Sequence, residues 1–149
     1  CLPVVRSEAE RKAAHPVYRA FMDMGVSRTF SEDHVRAAAM PAYMGLIRQL
    51  DDHLGRVLSH LEESGRLADT MILFTSDHGD LFGDHGLLLK HFSHYQGVLR
   101  VPLVLKAPGM GTGRHRSLAS SADIAPTLLD MLGVKQPAEM TGKSLLVRK

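Results

Sequence analysis

The chain has 149 residues, of which 44% are hydrophobic and 23% are charged, and its formal net charge is +2. This length is enough for one globular domain with its own core, and the small charge and the absence of tryptophan argue against a nucleic-acid-binding surface. No apolar run is long enough to cross a membrane, and the single cysteine, Cys1, excludes an internal disulfide framework.

The first residues are not those of a typical protein start. The chain opens on Cys1-Leu2-Pro3, without an initiator methionine and without a signal peptide. We therefore expect an N-terminal part of a longer protein to be missing, and targeting is left open.

Two short helices are predicted near the beginning of the chain. Ser7 and Glu10 form a capping box, which predicts a helix over residues 7–14. Residues 17–24 are predicted as a second helix, and Gly25 is expected to close it.

A long helix is the clearest secondary-structure prediction. Thr29 and Glu32 are the candidates for its N-terminal cap, Pro41 begins it or kinks it, and Gly65 ends it. The apolar residues that recur at helical spacing are Met40, Tyr43, Met44, Ile47, Leu50, Leu54, Val57, Leu58 and Leu61. Such a stripe is expected to face the core, and the polar segment 51–53 is interpreted as a solvated edge.

Two short strands are predicted after this helix. Residues 71–75 and 101–105 are apolar runs that contain β-preferring residues. Pro102 is tolerated in the second run because a proline at the start of a strand removes no ladder hydrogen bond.

A last helix completes the predicted elements. Ser120 and Asp123 form a capping box for a helix over residues 122–132, and Gly133 closes it. Residues 144–147 are predicted as a short strand. The order of long helix, strand, strand and helix predicts an α/β fold.

Acidic and histidine side chains follow the first predicted strand directly. On an extended strand, the adjacent Asp77 and His78 would point to opposite faces, so they can converge only if the strand ends and the chain turns. Gly79 is expected to supply the freedom for that turn. A carboxylate oxygen and an imidazole nitrogen suit a divalent cation, and Lys90 could meet an anionic substrate group.

Spacing and composition disfavour two other kinds of metal site in this cluster. An EF-hand loop needs acids at alternate positions and a terminal Glu, and Asp77, Asp80 and Asp84 do not have that spacing. A structural zinc site is disfavoured because no cysteine is present here. A solvated turn remains the simplest alternative for an Asp-His-Gly triplet on its own.

Several motifs follow one another along the chain: the segment 50–58, the segment 70–79 that ends in Thr-Ser-Asp-His-Gly, Gly-Asp-His-Gly at 83–86 with Lys90, Arg-Val-Pro-Leu at 100–103, and the segment 122–129. Together they resemble the later half of a sulfatase catalytic domain. The resemblance implies an alkaline-phosphatase-like fold, in which part of a mixed sheet is flanked by helices. Residues 1–149 would form a single partial domain.

The resemblance also implies roles for individual residues. Asp77 and His78 match the family's metal-binding pair, whose ion is usually calcium, with Mn²⁺, Zn²⁺ and Fe²⁺ as alternatives. Lys90 matches the catalytic lysine that contacts the sulfate and the leaving-group oxygen. His85 is expected to support the site without acting as a catalyst.

The chain departs from the family at the nucleophile. Sulfatases use a formylglycine made from Cys or Ser in a Cys/Ser-x-Pro-x-Arg motif far upstream of the Asp-His pair. Cys1 to Arg6 imitates that motif with Arg one position late, and we interpret the match as accidental. The chain would therefore hold metal ligands without a nucleophile and be inactive alone.

Two alternatives stay open. Phosphonate monoester hydrolases share the spacing of Asp77, His78 and Lys90, so a phosphate or phosphonate ester is the nearest rival to a sulfate ester. Alternatively, the chain is a non-catalytic domain that forms homo-oligomers through exposed apolar surface.

Overall fold

The structure is a computed structural model that describes residues 7–90 and 93–146. It divides into two compact units, Cys1–Met110 and Gly111–Lys149. No helix among the residues described combines the length and apolar character needed to cross a membrane.

Three short helices open the first unit. Helix α1 (Glu8–Ala13) begins with the predicted capping box: the Glu10 amide donates to Ser7 Oγ at 3.2 Å, and the Ser7 amide donates to Glu10 Oε2 at 2.8 Å. Helix α2 spans Pro16–Met22, and α3 spans Gly25–Phe30. The prediction that Gly25 closes α2 is wrong. The chain turns at Met24, which is extended (φ −63°, ψ 142°), so Gly25 begins the next helix.

The long helix is confirmed, but its predicted cap is wrong. Helix α4 spans Asp33–Glu63 with Pro41 inside it. Thr29 belongs to α3, where its hydroxyl donates to the Gly25 carbonyl at 3.0 Å, and Glu32 occupies the cap position without a side-chain hydrogen bond. Gly65 has a φ of +70° and ends the helix as predicted, since this left-handed conformation suits glycine.

The apolar stripe of α4 is not buried within this chain. Leu50 is 56% exposed and Val57 is 57% exposed, and the buried residue of the helix is Arg36. The expectation of a core-facing stripe holds only in part for this chain taken alone, because four of the predicted residues are exposed and the other five are half-buried, namely Met40, Tyr43, Leu54, Leu58 and Leu61. Helical periodicity identifies an apolar face, but it carries no information about what covers that face.

Two antiparallel strands carry the site. Strand β1 (Ile72–Thr75) pairs with β2 (Leu103–Lys106), with Ile72 opposite Lys106 and Thr75 opposite Leu103. The first strand lies where it was predicted, and the second begins after Pro102 rather than including it. The Thr75 hydroxyl donates to the Pro102 carbonyl at 2.8 Å, which joins the two strands at the end of β1.

The segment between the strands packs over a small core. It contains a 3₁₀ turn (Asp84–Gly86) and helix α5 (Gln96–Leu99). The buried apolar cluster of this unit consists of Met22, Leu81, Leu87 and Val98. Because two of its members lie between Asp77 and Lys90, the core fixes the segment that carries the site.

The second unit is built around helix α6 (Ile124–Met131), which follows a 3₁₀ turn over Ser121–Asp123. The predicted capping box of Ser120 and Asp123 is present, and Gly133 follows the helix with a φ of +66°. The predicted strand at the tail is wrong over 144–146, which has no regular structure, and Val147 lies outside the described residues.

Candidate metal and anion site

The chain turns immediately after strand β1. The strand ends at Thr75, and the Ser76 hydroxyl donates to the His78 carbonyl at 2.7 Å. Asp77 Oδ1 accepts the backbone N–H of His78 at 2.9 Å. These local hydrogen bonds hold the Asp-His pair in a turn, so the opposite orientations of an extended strand do not apply.

The turn brings the two side chains together. His78 Nε2 lies 3.5 Å from Asp77 Oδ2, and the Asp77 side chain is 84% exposed. His78 Nδ1 lies 2.9 Å from the Gly79 carbonyl oxygen. A carbonyl only accepts, so this hydrogen bond places the imidazole proton on Nδ1 and leaves the Nε2 lone pair of a neutral ring on the side of Asp77.

Gly79 is required for a reason that differs from the predicted one. It is not among the glycines with positive φ, so the turn does not depend on its conformational freedom. A Cβ at this position would lie 1.9 Å from the Gly97 carbonyl oxygen. The Gly79 amide also donates to the Val98 carbonyl at 2.8 Å. A close backbone approach therefore fixes this position next to the Asp-His pair.

The Asp77 carboxyl is held in its ionised form. The backbone N–H of His78 is the main cause that lowers its pKa below the ordinary value of 3.8, and the electrostatic influence of the His78 side chain, the Asp77 backbone N–H and the Lys90 ammonium lower it further. Partial removal from water opposes this shift but does not reverse it. The Lys90 ammonium is the weakest of these causes.

His85 lies at the tip of the segment. Its ring stacks on Tyr95 with centroids 4.0 Å apart and an interplanar angle of 14°, and its Nε2 lies 3.7 Å from Asp84 Oδ2. In the part of the chain that the structure describes, no three His, Cys, Asp or Glu residues are grouped so that they could hold a metal ion. The structure thus brings Asp77 and His78 together and places His85 in a packing contact.

Arg36 is a residue to which the sequence analysis gave no role. Its side chain is 2% exposed, it donates to the Phe30 carbonyl at 2.8 Å, and it pairs with Asp33. A Cβ on Gly83, whose φ is +91°, would lie 2.5 Å from Arg36 Cδ. The guanidinium stem therefore supports the site segment from α4. A single arginine within a predicted helix gives no sequence signal for such a role.

The family model described as Sulfatase matches residues 7–134. The chain belongs to the sulfatase family. Among curated relatives of this sulfatase chain, the multifunctional alkaline phosphatase superfamily protein PehA of Trinickia caryophylli is 36% identical over 97% of this chain and 30% of its own length. Arylsulfatase K of Danio rerio is 38% identical over 91% of this chain and 26% of its own.

A solved structure places the sulfatase chain in its fold. The phosphonate monoester hydrolase of Silicibacter pomeroyi superposes with a TM-score of 0.85 and 30% sequence identity, over 97% of this chain and 30% of that one. The predicted alkaline-phosphatase-like α/β fold is therefore confirmed. The chain spans less than a third of the length of the relatives named here.

Proposed function

We propose that this chain forms the later portion of a sulfatase-type catalytic domain and supplies part of a metal-dependent ester hydrolase site. Sulfatase-family relatives make hydrolase chemistry the family-level function. The observation that carries the finer proposal is the convergence of Asp77 and His78 just beyond strand β1, with the charge of Lys90 felt at the Asp77 carboxyl.

The donor set suits a divalent cation. Asp77 presents an ionised, exposed carboxylate, and His78 is oriented by Gly79 so that a nitrogen lone pair faces the same side. Oxygen donors favour calcium, whereas the nitrogen makes Mn²⁺, Zn²⁺ or Fe²⁺ the alternatives. When bound, the cation would act as a Lewis acid on the ester oxygens and favour a deprotonated nucleophile. Two donors alone predict weak binding, because calcium takes six or more oxygens.

Lys90 is the residue proposed to contact the ester group of the substrate. A lysine ammonium is a compact charge that can offset the negative charge developing on the leaving oxygen as the ester bond breaks. Lys90 is exposed, so its amine is available to an incoming anion. Its charge contributes weakly to the lowered pKa of Asp77, which supports a place for this lysine on the same side of the segment as the proposed cation site.

A sulfate ester is the proposed substrate class. Arylsulfatase K is among the relatives that support it. A phosphonate or phosphate ester is the second candidate, and the structural similarity to a phosphonate monoester hydrolase favours it specifically. Both esters present anionic oxygens to the same cation and lysine, so these residues alone do not discriminate between them.

The isolated chain is proposed to be inactive. The nucleophile of the family is not among the residues assigned here, and Cys1 to Arg6, which imitates its motif, lies outside the described residues. We expect no turnover of para-nitrophenyl sulfate by the purified 149-residue chain. Measurable turnover by this chain would contradict the proposal.

The test of the site uses the full-length protein that carries this chain, recovered from its gene. Lys90→Ala should lower turnover of para-nitrophenyl sulfate by roughly a hundredfold or more, the scale of losing one group that stabilises transition-state charge. Lys12→Ala is the matched control, because Lys12 is a 77% exposed lysine that pairs only loosely with Glu8 at 3.9 Å. Equal rates for the two variants would refute the role of Lys90.

The substrate class is determined by kinetic measurements on the same full-length protein. Turnover of para-nitrophenyl sulfate is compared with that of para-nitrophenyl phenylphosphonate as kcat/KM. A ratio that favours the sulfate ester supports the first candidate, and a ratio that favours the phosphonate supports the second.

A further inference from the structure

The segment between Asp77 and Lys90 has an unusual backbone. In the described ranges, all the non-glycine residues with positive φ lie in it: Phe82 at 45°, His85 at 55° and Leu89 at 63°. Each such conformation costs on the order of 1–2 kcal/mol for a residue with a side chain. Because the sequence does not place glycine at these positions, specific contacts must hold the backbone there.

One carboxylate oxygen binds two of these strained residues. Asp80 Oδ1 accepts the backbone N–H of Phe82 at 2.8 Å and the backbone N–H of Leu89 at 3.1 Å. The first contact is local, but the second closes the whole segment from one end to the other. Beside it, the Leu81 amide donates to the Leu89 carbonyl at 3.1 Å. Asp80 therefore joins the two ends of the loop, residues 80–81 and Leu89, and this pair of ends is called the neck of the loop.

The closed neck leads directly into Lys90. Leu89 is 54% exposed, so burial of its side chain is not what fixes its backbone. Hydrogen bonds to Asp80 and from Leu81 are the contacts that hold this residue in its left-handed conformation. Lys90 is the next residue in the chain. The backbone conformation of Leu89 therefore sets the direction in which the Lys90 side chain leaves the backbone.

We propose that Asp80 is a positioning residue for Lys90. Its carboxylate ties the start of the loop, next to the Asp77–His78 turn, to the residue that precedes the lysine. The loop thereby fixes the backbone from which the Lys90 side chain extends, and the role proposed for Asp80 requires no contact with a metal or a substrate. This inference rests on the proposed role of Lys90.

The test compares three variants in the full-length protein that carries this chain. Asp80→Ala removes both acceptor contacts and should lower kcat roughly ten- to a hundredfold, the scale of a misplaced catalytic group. Asp80→Asn keeps an acceptor oxygen at the same position and should retain most of the activity. Asp51→Ala, which removes an exposed carboxylate on α4, is the control and should leave kcat unchanged.

A double variant distinguishes positioning from general loosening. If Asp80 acts through Lys90, Asp80→Ala combined with Lys90→Ala is no slower than Lys90→Ala alone. Multiplied losses, a full-rate Asp80→Ala variant, or an Asp80→Asn variant as slow as Asp80→Ala would overturn the inference. A full-rate Lys90→Ala variant would instead overturn the proposed function, and this inference with it.

Hydrogen exchange gives a second readout that does not require an active variant. In the unmodified 149-residue chain, the Leu89 amide should exchange much more slowly than a solvated amide, although its side chain is half exposed. Exchange of this amide at the rate of an unstructured peptide would overturn the inference, even if Asp80→Ala failed to fold.

Discussion

Gly79 offers the sharpest single perturbation next to the site. A methyl group at this position would lie 1.9 Å from the Gly97 carbonyl oxygen and 3.3 Å from the Val98 Cα. Ordinary contacts begin at 3.4 Å, so the two backbones must move apart by about 1.5 Å in Gly79→Ala. Backbone atoms cannot rotate away as a flexible side chain can, so the strain is not relieved locally.

The expected cost combines two effects. Forcing an extra carbon into packed structure costs about 1–3 kcal/mol, and separating the backbones breaks the 2.8 Å hydrogen bond from the Gly79 amide to the Val98 carbonyl, which is worth about 0.5–1.5 kcal/mol. The free energy of unfolding of Gly79→Ala should therefore fall by about 1.5–4.5 kcal/mol.

Urea unfolding followed by far-UV circular dichroism measures this change. Gly55→Ala is the matched control, because a Cβ there meets nothing within 4 Å and Gly55 lies inside α4. Alanine should stabilise that helix by about 0.5–1 kcal/mol. The reasoning fails if Gly79→Ala unfolds at the urea concentration of the unmodified chain or of the control.

Two further predictions concern stability in acid and self-association. Asp123 accepts the amides of Lys143 and Ser120, both at 2.8 Å, and these bonds, Lys143 first, lower its pKa below 3.8. The stabilising contribution of the Asp123 carboxylate is therefore complete above pH 3.8 and is lost as the pH falls through the lower pKa of the folded state. The difference in melting temperature between the unmodified chain and Asp123→Ala should shrink in acid. A difference that stays constant with pH would contradict this prediction. The exposed Leu50 and Val57 on α4 should make the isolated chain self-associate. Light scattering should therefore give a larger mass for the unmodified chain than for the double variant Leu50→Lys with Val57→Lys. A monomeric mass of the unmodified chain at every concentration would contradict this prediction.

Features encoded by neighbouring residues could be predicted from the sequence. The capping boxes of Ser7 with Glu10 and of Ser120 with Asp123 each need only a few adjacent residues, and both are present. The run that forms β1 was located correctly for the same reason. Thr29 shows the limit of such patterns, because it lies inside α3 and so cannot cap α4.

Contacts between distant residues could not be predicted. Gly79 was correctly singled out, but its reason is the Gly97 carbonyl, which only the folded chain brings near. The Asp77–His78 turn is local and could be anticipated, whereas the bond from Leu89 to Asp80 depends on the path of the whole loop. The apolar face of α4 was recognised, yet its exposure is a property of the tertiary structure.

Paramagnetic broadening by Mn²⁺ tests the cation site most directly. Traces of Mn²⁺ are added to the isotope-labelled 149-residue chain, and amide signals are followed by nuclear magnetic resonance, which detects even weak binding. The signals of Asp77, His78 and Lys90 should broaden first, and Asp77→Asn should abolish this effect. Broadening centred on the exposed acidic segment 51–53, with the signals from Asp77 to Lys90 unchanged, would contradict the account.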